Sequence, residues 1–291
     1  MTLQLAGGGI AADRLHVTRV SGLRRMTRPW HPLLRPFVRS YAGYEEVLSS
    51  PYQLRMVPTA RAVVVINLAE PFTRVSRVGA PESSSGRIGS LVVGLEDRPA
   101  ICEHPGGQEA IRLEFTPLGA YRLFAVPMRE LTNHVLELRD IMGPWAEELA
   151  ERLAGTRDWV ARFDLLDAAL LARLAEGPAA SPEVGRAWWL LSRSAGGIPV
   201  SRVADEVGWS QKHLIRRFTE QIGLTPKASA QVLRFNRAVE MINRTEAGLA
   251  EVSAACGFYD QAHLNREFRR FADTTPGTLS AARRVEGALA L

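Results

Sequence analysis

The chain has 291 residues, 46% of them apolar and 23% charged, which is enough to bury full cores and leaves room for about two domains. Its 36 Lys and Arg against 31 Asp and Glu give a net charge of +5, a mild basic excess. No apolar run approaches the roughly 20 residues of a membrane helix, and the stretch from Gly7-Gly8-Gly9 to Asp13 and Arg14 lacks a signal-peptide core, so no membrane partner and a cytoplasmic location are expected.

Short extended runs fill the segment from about Pro36 to Phe115: Phe37 to Tyr41, Ala62 to Leu68, Ser90 to Gly94 and Ala110 to Phe115. Turns rich in Gly, Pro and Ser separate them, such as Gly79 to Gly89. Ile111, Leu113 and Phe115 alternate with Arg112 and Glu114, the pattern of a sheet wet on one face, and a small antiparallel barrel or sandwich follows. Trp30, Tyr41, Tyr44, Tyr52 and Phe72 suit the core of such a barrel better than the lining of an apolar effector pocket, which stays open as the alternative.

From Pro117 to Glu176 the pattern turns helical, with Leu131, Val135 and Leu138, then Trp145, Leu149 and Leu153, at steps of three and four. A last helix carries Trp159, Phe163, Leu166, Leu170 and Leu174 on one stripe, read as core covering the sheet, with an inter-subunit seam as the alternative. Gly177-Pro178-Ala179-Ala180-Ser181-Pro182 then breaks the periodicity as a linker does. The organisation expected is therefore a sensor or dimerisation domain at 1–176, a linker at 177–182 and an all-α domain at 183–291.

The last third of the chain repeats itself. At an offset of fifty, Gln211, His213, Leu214, Arg216, Phe218, Thr225 and Pro226 recur as Gln261, His263, Leu264, Arg266, Phe268, Thr275 and Pro276. Just upstream the offset is forty-nine, with Val203, Val207, Gly208 and Trp209 matching Val252, Cys256, Gly257 and Phe258, so the second copy's turn holds one extra residue. Each copy reads as a helix, a turn opened by Gly208 or Gly257, and a second helix capped by Ser210 or Asp260: a helix-turn-helix written twice.

In each second helix, Leu214 with Phe218, or Leu264 with Phe268, must face inward. The opposite stripe carries Lys212, Ile215, Arg216 and Thr219 in the first copy, and Ala262, Asn265, Arg266 and Arg269 in the second. Arg can fork onto guanine and Asn onto adenine, and a small or branched apolar side chain can meet a thymine methyl, so such stripes suit a DNA major groove. A pair of merely solvated helix faces is the bland alternative. Charge agrees with the first reading: from Glu183 to Leu291 there are fifteen Lys or Arg and eleven Asp or Glu. His213 and His263, beside the buried leucines, are read as structural or phosphate-facing.

Ile198 to Leu279 resembles the double helix-turn-helix DNA-binding domain of the AraC/XylS family of bacterial transcription regulators. The resemblance rests on Gly208-Trp209-Ser210, His213-Leu214 and Arg216 to Phe218, then on Gly257-Phe258, Gln261, Leu264, Arg266, Phe268 and Thr275-Pro276. It implies that both second helices enter successive major-groove segments, about one helical turn apart. The helix from about Thr225 to Ile242 would hold that spacing. The DNA-contacting set it implies, with the stripes above, is Gln211, Lys212, Ile215, Arg216, Gln261, Ala262, Asn265, Arg266 and Arg269. Ile215 departs from the polar residue often found there.

The resemblance further implies a cupin-like first domain, so the fold class expected is α+β: an N-terminal antiparallel barrel or sandwich with trailing helices, followed by the all-α domain. The run from Thr116 to Leu131 is also similar to uncharacterised regulators of this class. Double-stranded DNA and RNA polymerase are the implied partners and activation the implied output, with a small-molecule effector and a homodimer left open. His31 and His104, the latter beside Glu103, are isolated, so no metal and no cofactor are expected. No nucleophile elbow, phosphate loop or paired-carboxylate motif is present, and Cys102 and Cys256 lack the partners of a reactive thiol, so no enzymatic role is expected. An effector-independent architectural DNA-binding protein is the alternative, and a DNA-binding domain fused to an enzymatic barrel a more distant one.

Overall fold

The computed structural model describes residues 15–20, 22–47, 52–69, 73–77, 87–104, 107–245 and 247–279. Gly7-Gly8-Gly9, Asp13, Arg14, Phe72, most of the Gly79 to Gly89 turn, and the side chains of Tyr52 and His104 fall outside that description.

The first sheet starts earlier than the apolar pattern suggests. β1 (His16–Val20) and β2 (Leu23–Thr27) form a hairpin ahead of the expected start near Pro36, turned at Gly22 with φ of 85°. Arginines at 19, 24 and 25 dilute its alternation, which leaves Ser21-Gly22 as the legible signal. There follow β3 (Val38–Val47), β4 (Tyr52–Met56), β5 (Ala62–Asn67), β6 (Thr73–Arg77), β7 (Arg87–Ile88), β8 (Leu91–Val93), β9 (Ala100–His104) and β10 (Gly107–Phe115). A late strand, β11 (Val135–Glu137), completes an antiparallel sheet of order β1-β2-β3-β10-β5-β8-β11, and a smaller one runs β4-β9-β6-β7.

Residues 128–137 correct the helical reading of Leu131, Val135 and Leu138. A 3₁₀ turn ends at Glu130, Asn133 takes φ of 58°, and Val135–Glu137 pairs with Val93–Leu91. An unfilled sheet edge outweighed a short helical spacing, because pairing satisfies backbone groups that a three-residue helix leaves bare.

Cross-strand register decides what each face of the larger sheet meets. Leu113 lies opposite both Tyr41 and Val64, and this apolar face is covered by α1 (Pro117–Phe124), α2 (Leu138–Met142), α3 (Pro144–Gly155) and α4 (Trp159–Glu176). All five residues of the α4 stripe are buried within the one chain, with Phe163 stacked on Tyr41 at 5.0 Å and tilted against Trp159 at 5.8 Å. Under this layer Arg28, 7% exposed, reaches Asp164 at 2.6 Å and Asp167 at 2.9 Å. The Tyr41 hydroxyl donates to Asp167 at 3.0 Å and the His31 amide at 3.2 Å. Trp30 and Tyr41 thus belong to the core.

The helical third comprises α5 (Pro182–Arg193), α6 (Val200–Glu206), α7 (Gln211–Ile222), α8 (Pro226–Arg244), α9 (Leu249–Ala255) and α10 (Gln261–Ala272). The segment before α5 is held on both sides. Gly177 presses on the Arg122 carbonyl, where a Cβ would come within 1.9 Å. The Ser181 amide donates to the buried Gln221 side chain at 2.9 Å, and Gln221 donates back to the Ser181 hydroxyl at 2.8 Å. α7 packs on α1 and on the 128–130 turn, and Gly223, at φ of 102°, leaves no room for a Cβ beside Thr132. Buried apolar residues consequently form one continuous cluster from the large sheet into the helical third. Among the described residues no helix is long and apolar enough to cross a membrane.

Candidate nucleic-acid interface

Each copy of the repeat is a three-helix unit. α5 packs on α6 and α7 as α8 packs on α9 and α10. Trp188 of α5 lies 6.3 Å from Phe218, and Phe235 of α8 lies 5.0 Å from Phe268. α8 therefore joins the units and also supplies the supporting helix of the second.

The turns repeat in atomic detail. Gly208 and Gly257 take φ of 71° and 73° with open space where a Cβ would sit, so glycine is required for conformation, not clearance. The Trp209 amide then donates to the Ala204 carbonyl at 3.0 Å, and Phe258 to Ser253 at 2.9 Å. Ser210 Oγ accepts from the His213 amide at 3.3 Å and Asp260 Oδ1 from the His263 amide at 2.6 Å, capping α7 and α10. The His213 ring stands edge-on to Trp209 at 4.5 Å and His263 to Phe258 at 5.4 Å, and His263 Nδ1 accepts from the Tyr259 amide. Both histidines therefore brace their turns. Ser210→Ala should cost about 1 kcal/mol of stability, measured by urea unfolding; an unchanged midpoint would mean the cap is idle.

Leu214, Phe218, Leu264 and Phe268 are buried. On the other face Gln211, Lys212, Ile215 and Arg216 are exposed, as are Gln261, Ala262, Arg266 and Arg269, with Asn265 half-buried. Ile215 is 42% exposed, a large apolar side chain left in water on a helix that has a core to fill. Neighbouring arginines are divided by role. Arg217 pairs with Glu220 at 2.8 Å and Arg270 with Glu267 at 3.7 Å, whereas among the described residues no acid pairs with Lys212, Arg216, Arg266 or Arg269. The stripes are thus cationic and uncompensated.

Tyr259 is the extra residue of the second turn, 93% exposed at the head of α10, and the one-residue change of offset was its sequence signal. At the far end of α10, Arg55 of β4 donates to the Ala272 carbonyl and to Asp273, each at 3.1 Å, and Arg270 reaches Asp97 at 3.7 Å. Both capped helices, α7 and α10, are therefore anchored at their C-terminal ends to the first domain. Cys102 and Cys256 are buried thiols; burial, with Glu103 adding to it, pushes Cys102 up to about 12, so it stays protonated at neutral pH.

Two capped helices with outward cationic stripes, each set on its own three-helix core, define a helix-turn-helix module of the DNA-binding class. A family model described as a helix-turn-helix domain matches residues 203–282, and one described as a domain of unknown function (DUF6597) matches residues 27–137. The transcriptional activator RhaS of Escherichia coli O9:H4 is 30% identical over 95 residues, 33% of this chain and 34% of RhaS. The chain thus matches about a third of the length of such curated relatives. The helical third is therefore similar to a helix-turn-helix domain and to the matching part of the activator RhaS. Among solved structures, an AraC-type regulator from Chromobacterium violaceum is similar at 27% identity, covering 35% of this chain and 92% of that one, with a TM-score of 0.33. ToxT from Vibrio cholerae is similar at 8% identity over 83% of this chain and 97% of its own, with a TM-score of 0.46.

Proposed function

We propose that the protein is a sequence-specific DNA-binding transcription regulator that acts as an activator. Residues 183–291 read double-stranded DNA, residues 177–182 join them to the rest, and residues 1–176 sense or dimerise. The observation that carries this reading is the duplicated stripe on two capped helices of amide side chains and of cations with no acid partner among the described residues. Arginine and backbone amides grip phosphates and set the register. Arg216, Asn265 and Arg266 discriminate bases, and Gln211, Lys212, Ile215, Gln261, Ala262 and Arg269 complete the contact surface. Activation, with RNA polymerase as partner, draws support from the activator named among the relatives.

Arg216→Ala or Arg266→Ala should each weaken binding to the selected site by about 1–3 kcal/mol while leaving the melting temperature unchanged. Selection of genomic fragments by the full-length protein supplies that site, with affinity followed across salt concentration beside a scrambled duplex. A two-part site with segments about one helical turn apart is expected. Equal, salt-sensitive affinity for both duplexes would refute specific regulation.

A further inference from the structure

The second face of the large sheet, the one turned away from the helices, holds a cavity of about 200 Å³. Its chemistry comes from Arg25 of β2, Tyr44 of β3, Arg61, and Arg112 and Glu114 of β10. The ladder fixes them together, since Arg25 lies opposite Tyr44, Arg112 opposite Ala42 and Glu114 opposite Ser40. Two guanidinium groups, of Arg61 and Arg112, thus engage one carboxylate, and that of Arg25 shares the lining with them. Glu114 accepts from Arg112 at 2.5 Å and from Arg61. Burial pushes the Glu114 carboxyl up, but the two arginines outweigh it and hold it below its ordinary range, so it is ionised and already engaged. Glu46, next on the same face of β3, is outside the lining. The lining therefore carries two more positive than negative charges, and Arg25 Nε is buried without a hydrogen-bond partner among the described residues. Converging like charges and an unmet donor are costly unless something negative meets them.

We propose that this cavity binds a small organic anion through the forked guanidinium groups of Arg25, Arg61 and Arg112. Planar guanidinium pairs favour a carboxylate, held by two parallel hydrogen bonds, and accept a phosphate by the same chemistry. The volume is below the roughly 300 Å³ at which drug-sized pockets begin, which confines the ligand to a metabolite of few atoms. The anion's role as effector rests on the regulator reading; its binding does not.

Titration calorimetry of the full-length protein with sodium malonate and with inorganic phosphate, at fixed ionic strength against a chloride control, tests this. One saturable site per chain is expected for at least one probe, and which probe binds separates carboxylate from phosphate recognition. Arg25→Gln, which breaks no ion pair among the described residues, should weaken it about tenfold or more. Arg61→Gln, on a half-exposed side chain, serves the same purpose if the first variant melts early. Absence of saturable binding by both probes, or unchanged affinity in the variants, overturns the site. Binding that leaves DNA affinity and transcription unaltered removes the effector role alone, whereas absence of sequence-specific DNA binding both with and without the anion counts against the regulator reading and not against the anion site.

Discussion

Replacing Phe268 with alanine should cost about 3–5 kcal/mol and abolish DNA binding by unfolding the second helix-turn-helix unit. The Phe268 side chain is 1% exposed, meets Phe235 edge-on at 5.0 Å, and shares that partner with Phe271 at 5.2 Å. Truncation removes one of the three rings packed where α8 and α10 meet, and helices of 12 and 19 residues cannot close over the void without losing their registry. Urea unfolding followed by circular dichroism should show early loss of helix, and the salt-resistant part of DNA affinity should vanish with it. If Phe268→Ala melts with the parent, the face assigned to the core is wrong. The contrast with Arg266→Ala, two residues away in sequence, is what makes the pair informative: one residue holds the unit, the other belongs to the proposed contact stripe.

Asp167→Ala should destabilise the first domain by about 3 kcal/mol or more. The substitution strips Arg28, the Tyr41 hydroxyl and the His31 amide of a common acceptor, leaving Arg28 with Asp164, whose side chain is 65% exposed. The damage comes from the abandoned charge and not from the worth of the pair, because a buried pair barely repays its own desolvation. The double substitution Arg28→Met with Asp167→Leu should therefore recover most of the loss. Thermal melts of the single and double variants decide this; additive losses would show that each side chain acts through separate partners.

The helical third was legible because its signals are local and written twice. Caps at Ser210 and Asp260, glycines at 208 and 257, and inward pairs four residues apart all lie within one turn of the feature they specify. What the repeat concealed was α8. Its Thr225-Pro226 start reads as a connecting helix, but the pairing of Phe235 with Phe268 spans 33 residues in sequence and gives it a second duty. The sheets were less legible. β5, β8 and β10 fell on extended runs read in the sequence, the last by its alternation, but β1, β2 and β11 depend on which edge lies open after the others have paired, and that is a property of the assembled sheet. The same holds for the arginine cavity. Arg112 and Glu114 were expected to face water, and only the register with β2 and β3 brings Arg25 and Tyr44 beside them.

α7 turns its outer stripe away from the protein, and its C-terminal end is seated on α1 and the 128–130 turn, with Gln221 tied to Ser181 and Gly223 against Thr132. One helix thus belongs to two cooperative units at once. On the proposed reading, thermodynamic reciprocity links them: if a duplex that fixes α7 tightens the packing of α1 on the sheet, then whatever loosens that packing lowers affinity for the duplex by the same factor. Amide exchange of residues 117–124 should slow when DNA is added, although they lie outside the proposed contact stripes.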